Sequence, residues 1–246
     1  MREMKNKADS LSDPRLIAAL DTSSLDAAQK LIRQLQGLVD FYKIGFELFT
    51  AFGWKAAELV RKSGGKIFLD LKLHDIPSTV SKTAAVICEH EIEMFTVHTL
   101  GGFEMMQQVC ETVEKRPRGG KKRPRILGVT ILTSHTQESL SKEMGIGRNL
   151  DEQVLHLAGL AKKAGLDGVV SSPQEISLLR AGFPKDFLIV TPGIRPQGSP
   201  QGDQKRTYAP KEALGAGADF IVIGRPITAA ENPRKETLNI LNSLQR

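Results

Sequence analysis

The stretch Asp219-Phe220-Ile221-Val222-Ile223-Gly224 carries four consecutive apolar residues between a carboxylate and a glycine. A strand with one wet face alternates apolar and polar side chains. One that is apolar at every position needs cover on both faces, as a parallel strand does when helices pack over it. Working back along the chain, short runs of the same kind occupy 16–21, 41–45, 66–72, 94–99, 125–132, 168–172 and 187–191, so that with 219–224 there are eight. Between them lie segments of helical period, 26–35, 47–62, 79–89, 103–114, 151–163, 174–181 and 211–216, and a last one over about 227–244 closes the chain. Eight strand–helix units in about 250 residues predict a closed (β/α)₈ TIM barrel of parallel strands. A doubly wound open sheet is the alternative, but Asp21-Thr22-Ser23-Ser24 stands where a dinucleotide-binding sheet carries G-x-G-x-x-G. With no linker or shift of composition along the chain, residues 1–246 read as one domain.

Composition narrows the class further. Of 246 residues, 40% are hydrophobic and 25% charged, the balance of a folded globular chain rather than a disordered one. No window approaches the ~18 apolar residues of a spanning helix. The opening Met1-Arg2-Glu3-Met4-Lys5-Asn6-Lys7 leads into no apolar run, so no secretory signal is expected. Cys88 and Cys110 fall in helical segments without metal-ligand spacing and read as reduced, packed thiols, which predicts a cytoplasmic protein. The formal net charge is +6, but the stretch 115–125 alone holds seven positive charges and no acid, leaving −1 for the rest. Such a Pro/Gly-punctuated run without aromatic residues reads as a solvated connection rather than a nucleic-acid arm.

In a barrel, chemistry gathers where strands end, because the loops there build the active face. Asp21 ends the first strand, Lys43 lies in the second, Asp70 and Lys72 end the third, and Asp75 follows. Within Phe68-Leu69-Asp70-Leu71-Lys72-Leu73-His74-Asp75-Ile76-Pro77, strand alternation puts Asp70 and Lys72 on one face and the leucines on the other. A carboxylate and an ammonium aimed inward must pair. That pairing reads either as a structural salt bridge or, with Asp75 as a second carboxylate, as a lysine held protonated to act as an acid. Asp21 reads equally as a helix N-cap. Lys43, whose neighbours Tyr42 and Ile44 face the helices, turns inward and needs an acidic partner or an anionic ligand.

Two later strand ends suit phosphate. Thr191-Pro192-Gly193-Ile194-Arg195-Pro196 leads into a loop ending Asp203-Gln204-Lys205-Arg206, and Ile223-Gly224-Arg225-Pro226 precedes the final helix. Glycine lets a ligand approach the backbone, a helix N-terminus offers free N–H groups, and Arg195 and Arg225 would supply forked cationic donors.

Asp70-Leu71-Lys72-Leu73-His74-Asp75-Ile76-Pro77, with Thr79 after it, resembles the signature of the orotidine 5′-phosphate decarboxylase family. Ala19-Leu20-Asp21, Tyr42-Lys43-Ile44-Gly45, Leu132-Thr133-Ser134 and the two phosphate-suited loops extend the resemblance along most of the chain. It implies a homodimeric lyase that converts orotidine 5′-monophosphate to UMP, the last step of pyrimidine nucleotide synthesis, without metal or organic cofactor. Lys72 would then stabilise the carbanion and protonate the ring carbon, Asp70 would sit beside the departing carboxylate, and Asp75 would complete the charge network. The resemblance also implies that Asp75, Ile76 and Thr79 enter the partner's site. Asp21 and Lys43 would bind ribose, and Thr133 and Ser134 the base and its surroundings, with Pro192 also against the substrate. Gln204, Gly224 and Arg225 would hold phosphate while Arg195 orders the closing loop. The readings set against this one are a magnesium-dependent sugar-phosphate lyase and a nucleic-acid module acting through 115–125.

Overall fold

A computed structural model describes residues 12–116, 122–196 and 208–245. Eight parallel strands close into a barrel in chain order: β1 (Leu16–Ala19), β2 (Phe41–Ile44), β3 (Lys66–Leu73), β4 (Met94–His98), β5 (Arg125–Val129), β6 (Gly168–Val170), β7 (Leu188–Thr191) and β8 (Phe220–Ile223). Pairing of Leu16 with Ile221 and of Ile17 with Val222 joins the last strand to the first. The expected (β/α)₈ architecture is the observed one.

Alternation along each strand builds two cores. Leu16, Ala18, Tyr42, Ile44, Leu69, Phe95, Ile221 and Ile223 face outward to the helices, while Ile17, Phe41, Phe68, Met94, Leu127, Val190 and Val222 fill the interior. This is why the run 220–223 is apolar throughout: either face would otherwise leave aliphatic area in water, at roughly 1.5–3 kcal/mol per side chain.

The covering helices are α1 (Leu25–Leu35), α2 (Phe46–Phe52), α3 (Trp54–Lys62), α4 (Pro77–Ile87), α5 (Gly102–Lys115), α6 (Gln137–Lys142), α7 (Leu150–Ala164), α8 (Ile176–Gly182), α9 (Pro210–Ala216), α10 (Arg225–Thr228) and α11 (Pro233–Gln245). The expected helix at 47–62 is two, α2 and α3, because Gly53 at φ 54°, ψ −136° takes a backbone conformation outside the helical region. The expected closing helix is likewise divided, into α10 and α11. Helix α6 lies where the apolar spacing predicts none. It is started by Thr136, whose side chain accepts from Ser139 N while Ser139 returns a bond to Thr136 N.

At the opposite end, where strands begin, carboxylates close the free amides of neighbouring strands. Glu93 accepts from Ile67 N at 2.5 Å, Asp167 from Ile126 N at 2.7 Å and Asp219 from Ile189 N at 2.8 Å. Arg123 pairs with Asp167 at 2.7 Å, Arg180 with Asp219 at 2.5 Å, and Arg116 with Glu89 at 2.5 Å. Two arginines of the basic stretch are thus engaged within the fold; residues 117–121 lie outside the described ones.

Candidate active site

The end of β3 departs from a regular strand. Leu69 pairs with Phe95 and Leu73 with Val97, so Asp70, Leu71 and Lys72 all pass opposite Thr96. This is a bulge, and Lys72 takes φ 45°, the one non-glycine residue with positive φ among the described residues. Such a conformation costs on the order of 1–3 kcal/mol and persists only where its surroundings enforce it. The expected pairing of Asp70 with Lys72 is present, but simple strand alternation does not produce it; the bulge does. Leu71 and Leu73 pack toward the outer core, as expected.

Four side chains form a line of alternating charge. Asp21 Oδ1 lies 2.9 Å from Lys43 Nζ, Lys43 Nζ 3.8 Å from Asp70 Oδ2, and Asp70 Oδ2 2.9 Å from Lys72 Nζ. Asp70 is only 9% exposed. It tolerates that burial because two ammonium groups face Oδ2 and the Thr96 hydroxyl donates to Oδ1 at 3.1 Å. Lys72 Nζ also stands 5.7 Å from the centre of the Phe46 ring. Lys43 turns inward between Tyr42 and Ile44, as expected.

These charges open into a cavity of about 370 Å³ at the strand ends. Its inner wall is apolar, made by Ala19, Phe68, Val129, Val170 and Val222, and Thr133 and Ser134 lie at its side. Those inward-facing valines, not singled out from sequence, follow the same every-second-residue rule that places Val222 inside. Ser171, also on the wall, has a buried hydroxyl with no hydrogen-bond partner among the described residues. Pro192, Arg195, Gly224 and Arg225 line the cavity too. Burial and then the like charge of Arg225 lower the Arg195 pKa. Two guanidinium groups lining one cavity are forked donors suited to an anionic ligand group. A Cβ on Gly224 would stand 3.2 Å from Asp21 Oδ2, so the position has little room for a side chain. Gln204 lies outside the described residues.

Asp75, Ile76 and Thr79 do not line this cavity. All three are exposed, and Asp75 Oδ1 accepts from the Ile76 amide at 2.7 Å. Ile76, at 65%, and Phe46, at 58%, are the most exposed large apolar residues described. Nearby, His98 Nδ1 accepts from Leu100 N at 3.3 Å and its ring stacks on His74. Burial, followed by the charges of His74, Lys72 and His135, pushes the His98 pKa down to about 4.

Residues 14–240 match the family model described as "Orotidine 5′-phosphate decarboxylase / HUMPS family". An orotidine 5′-phosphate decarboxylase from Syntrophotalea carbinolica is 48% identical over 220 residues, covering 89% of this chain and 90% of its own. Another from Moorella thermoacetica is 46% identical, covering 89% and 87%. The crystal structure of orotidine 5′-phosphate decarboxylase from Lactobacillus acidophilus superposes with a TM-score of 0.83 at 37% identity, covering 95% of this chain and all of that one. With near-full coverage in sequence and in structure, the chain belongs to the orotidine 5′-phosphate decarboxylase / HUMPS family.

Proposed function

We propose that this enzyme, a carbon–carbon lyase, decarboxylates orotidine 5′-monophosphate to UMP, closing pyrimidine nucleotide synthesis in the cytoplasm without a cofactor. The observation that carries the reading is the line Asp21–Lys43–Asp70–Lys72 opening into the same cavity as Arg195 and Arg225. When the ring–carboxylate bond breaks, its electron pair stays on the ring carbon and carbon dioxide leaves. The Lys72 ammonium stabilises that pair and then transfers a proton to the carbon, after which the amine regains a proton from water. Asp70 fixes the ammonium and lies beside the departing carboxylate. Arg225, the Gly224 amide and Gln204 hold the phosphate, Arg195 orders the loop over it, Asp21 and Lys43 bind ribose, and Thr133, Ser134 and Pro192 contact the base and its surroundings. Binding energy from the remote phosphate then offsets the cost of organising the reacting end.

We further propose a homodimer in which Asp75, Ile76 and Thr79 complete the partner's site. Their exposure outside their own cavity supports this arrangement.

A metal-dependent sugar-phosphate lyase would need a metal-binding acid at another strand end, because Asp70 is not free to face a cation. Its Oδ2 faces two ammonium groups, at 2.9 and 3.8 Å, which repel one. The pairing of Arg116 and Arg123 within the fold likewise weighs against a nucleic-acid role for the basic stretch. The test follows the loss of substrate absorbance when purified enzyme and orotidine 5′-monophosphate are mixed in a chelator. Wild type is expected to turn over normally and Lys72→Ala to lose about 10³-fold or more in kcat. Chelator-sensitive turnover, or an active Lys72→Ala enzyme, would end this reading.

A further inference from the structure

Thr96 plays no part in the function described above, yet it stands where the β3 bulge meets its neighbour. Met94 points to the barrel interior and Phe95 and Val97 to the helices, so Thr96 faces inward. It is fully buried and does not line the cavity, so it acts on the reaction only through other residues. Where the β3–β4 register shifts, the Lys72 N–H donates to Thr96 Oγ1 at 2.8 Å. The same hydroxyl donates its one proton to Asp70 Oδ1 at 3.1 Å, and Asp70 Oδ2 holds Lys72 Nζ at 2.9 Å. Hydroxyl, carboxylate, ammonium and the Lys72 backbone therefore close a ring. An apolar side chain of the same shape would leave a Lys72 N–H without its acceptor and Asp70 one donor short.

We propose that Thr96 is a positioning residue for the reaction, holding Lys72 in its left-handed backbone conformation and Asp70 in the orientation that aims the ammonium at the reacting carbon. The kinetic part rests on the decarboxylase reading; the geometric part stands without it. Serine keeps the hydroxyl and loses a methyl, whereas valine keeps the shape and loses the hydroxyl, so the pair separates positioning from packing.

The experiment compares wild type, Thr96→Val and Thr96→Ser by steady-state kinetics on orotidine 5′-monophosphate, by UMP binding and by crystallography. Thr96→Val is expected to lose about tenfold or more in kcat with KM and UMP affinity within about threefold, and Thr96→Ser to stay within about threefold of wild type in kcat. In crystals of Thr96→Val, Lys72 φ is expected to leave the positive region and the Lys72 Nζ–Asp70 Oδ2 contact to open. Wild-type kcat in Thr96→Val, or crystals retaining φ near 45° and the 2.9 Å contact, would overturn the proposal. A Thr96→Ser enzyme with its kcat lowered about tenfold would assign the effect to methyl packing, and would overturn it even if Thr96→Val failed to fold. If wild type leaves the substrate untouched, the decarboxylase reading falls, while the crystals still decide what Thr96 holds.

Discussion

Lys43 stands between Asp21 and Asp70 and serves both, so its loss exposes two carboxylates to one another's charge. Lys43→Ala is therefore expected to lower kcat by about 10²-fold and to raise KM, measured in the absorbance assay. At the other strand ends, the proposed phosphate contact predicts that Arg225→Ala lowers kcat as well as affinity, because binding energy gained there would also organise the reacting end. A normal kcat at saturating substrate would confine Arg225 to binding. Among single residues with charge, Asp21, Lys43, Asp70, Lys72, Arg195 and Arg225 were legible as cavity-lining, whereas Asp75, read with them, lies outside the cavity of its own chain. An inward charge on an otherwise apolar strand is too costly to keep unless a counter-charge or a ligand meets it. Thr96 was not legible, because a buried threonine gains its meaning only from the strand lying opposite. The positive φ of Lys72 was hidden for a related reason: alternation assumes a regular ladder, and no residue type there announces the bulge.

Short elements carry their own consequences. His98 caps the turn Thr99–Gly101 through Nδ1, which must remain unprotonated to accept. Unfolded, it takes up a proton at the ordinary value of 6.5; folded, only near 4. The unfolded chain thus binds more protons through that window, and stability falls as pH drops from 6.5 towards 4. Asparagine keeps an acceptor without titrating, so a plot of thermal midpoint against pH is expected to be shallower across this window for His98→Asn. In β6, a Cβ on Gly168 would come within 2.3 Å of the Leu188 carbonyl oxygen. Gly168→Ala is expected to destabilise the fold by about 1–3 kcal/mol in denaturant unfolding, by forcing β6 from β7. Strand identity was clear from composition, but the division of 47–62 was not. Apolar spacing continues across Gly53, and a backbone angle rather than a side chain makes the break.

For the whole molecule, the proposed dimer makes each site composite. A mixture of Lys72→Ala and Asp75→Ala chains would form hybrids with one doubly damaged site and one intact site. Coexpression, or unfolding and refolding together, is expected to restore about a quarter of wild-type activity from two variants that are each nearly inert. Absence of recovery, with hybrids verified by mass, would place all the chemistry within one chain. Closure of the barrel was legible from eight repeated units because only their number and order mattered. The proposed second chain has no such signature in the sequence: no periodic exposed stripe marks an interface, and the expectation there rests on the family resemblance alone.

Glu93, Asp167 and Asp219 tie neighbouring strands together at the rim where the strands start, while the cavity proposed to hold the chemistry opens at the far rim. Scaffold and chemistry accordingly have separate addresses on this barrel. An engineer seeking a hardier catalyst can reinforce the lower hoop without disturbing turnover, and damage there should surface as shortened lifetime rather than altered selectivity.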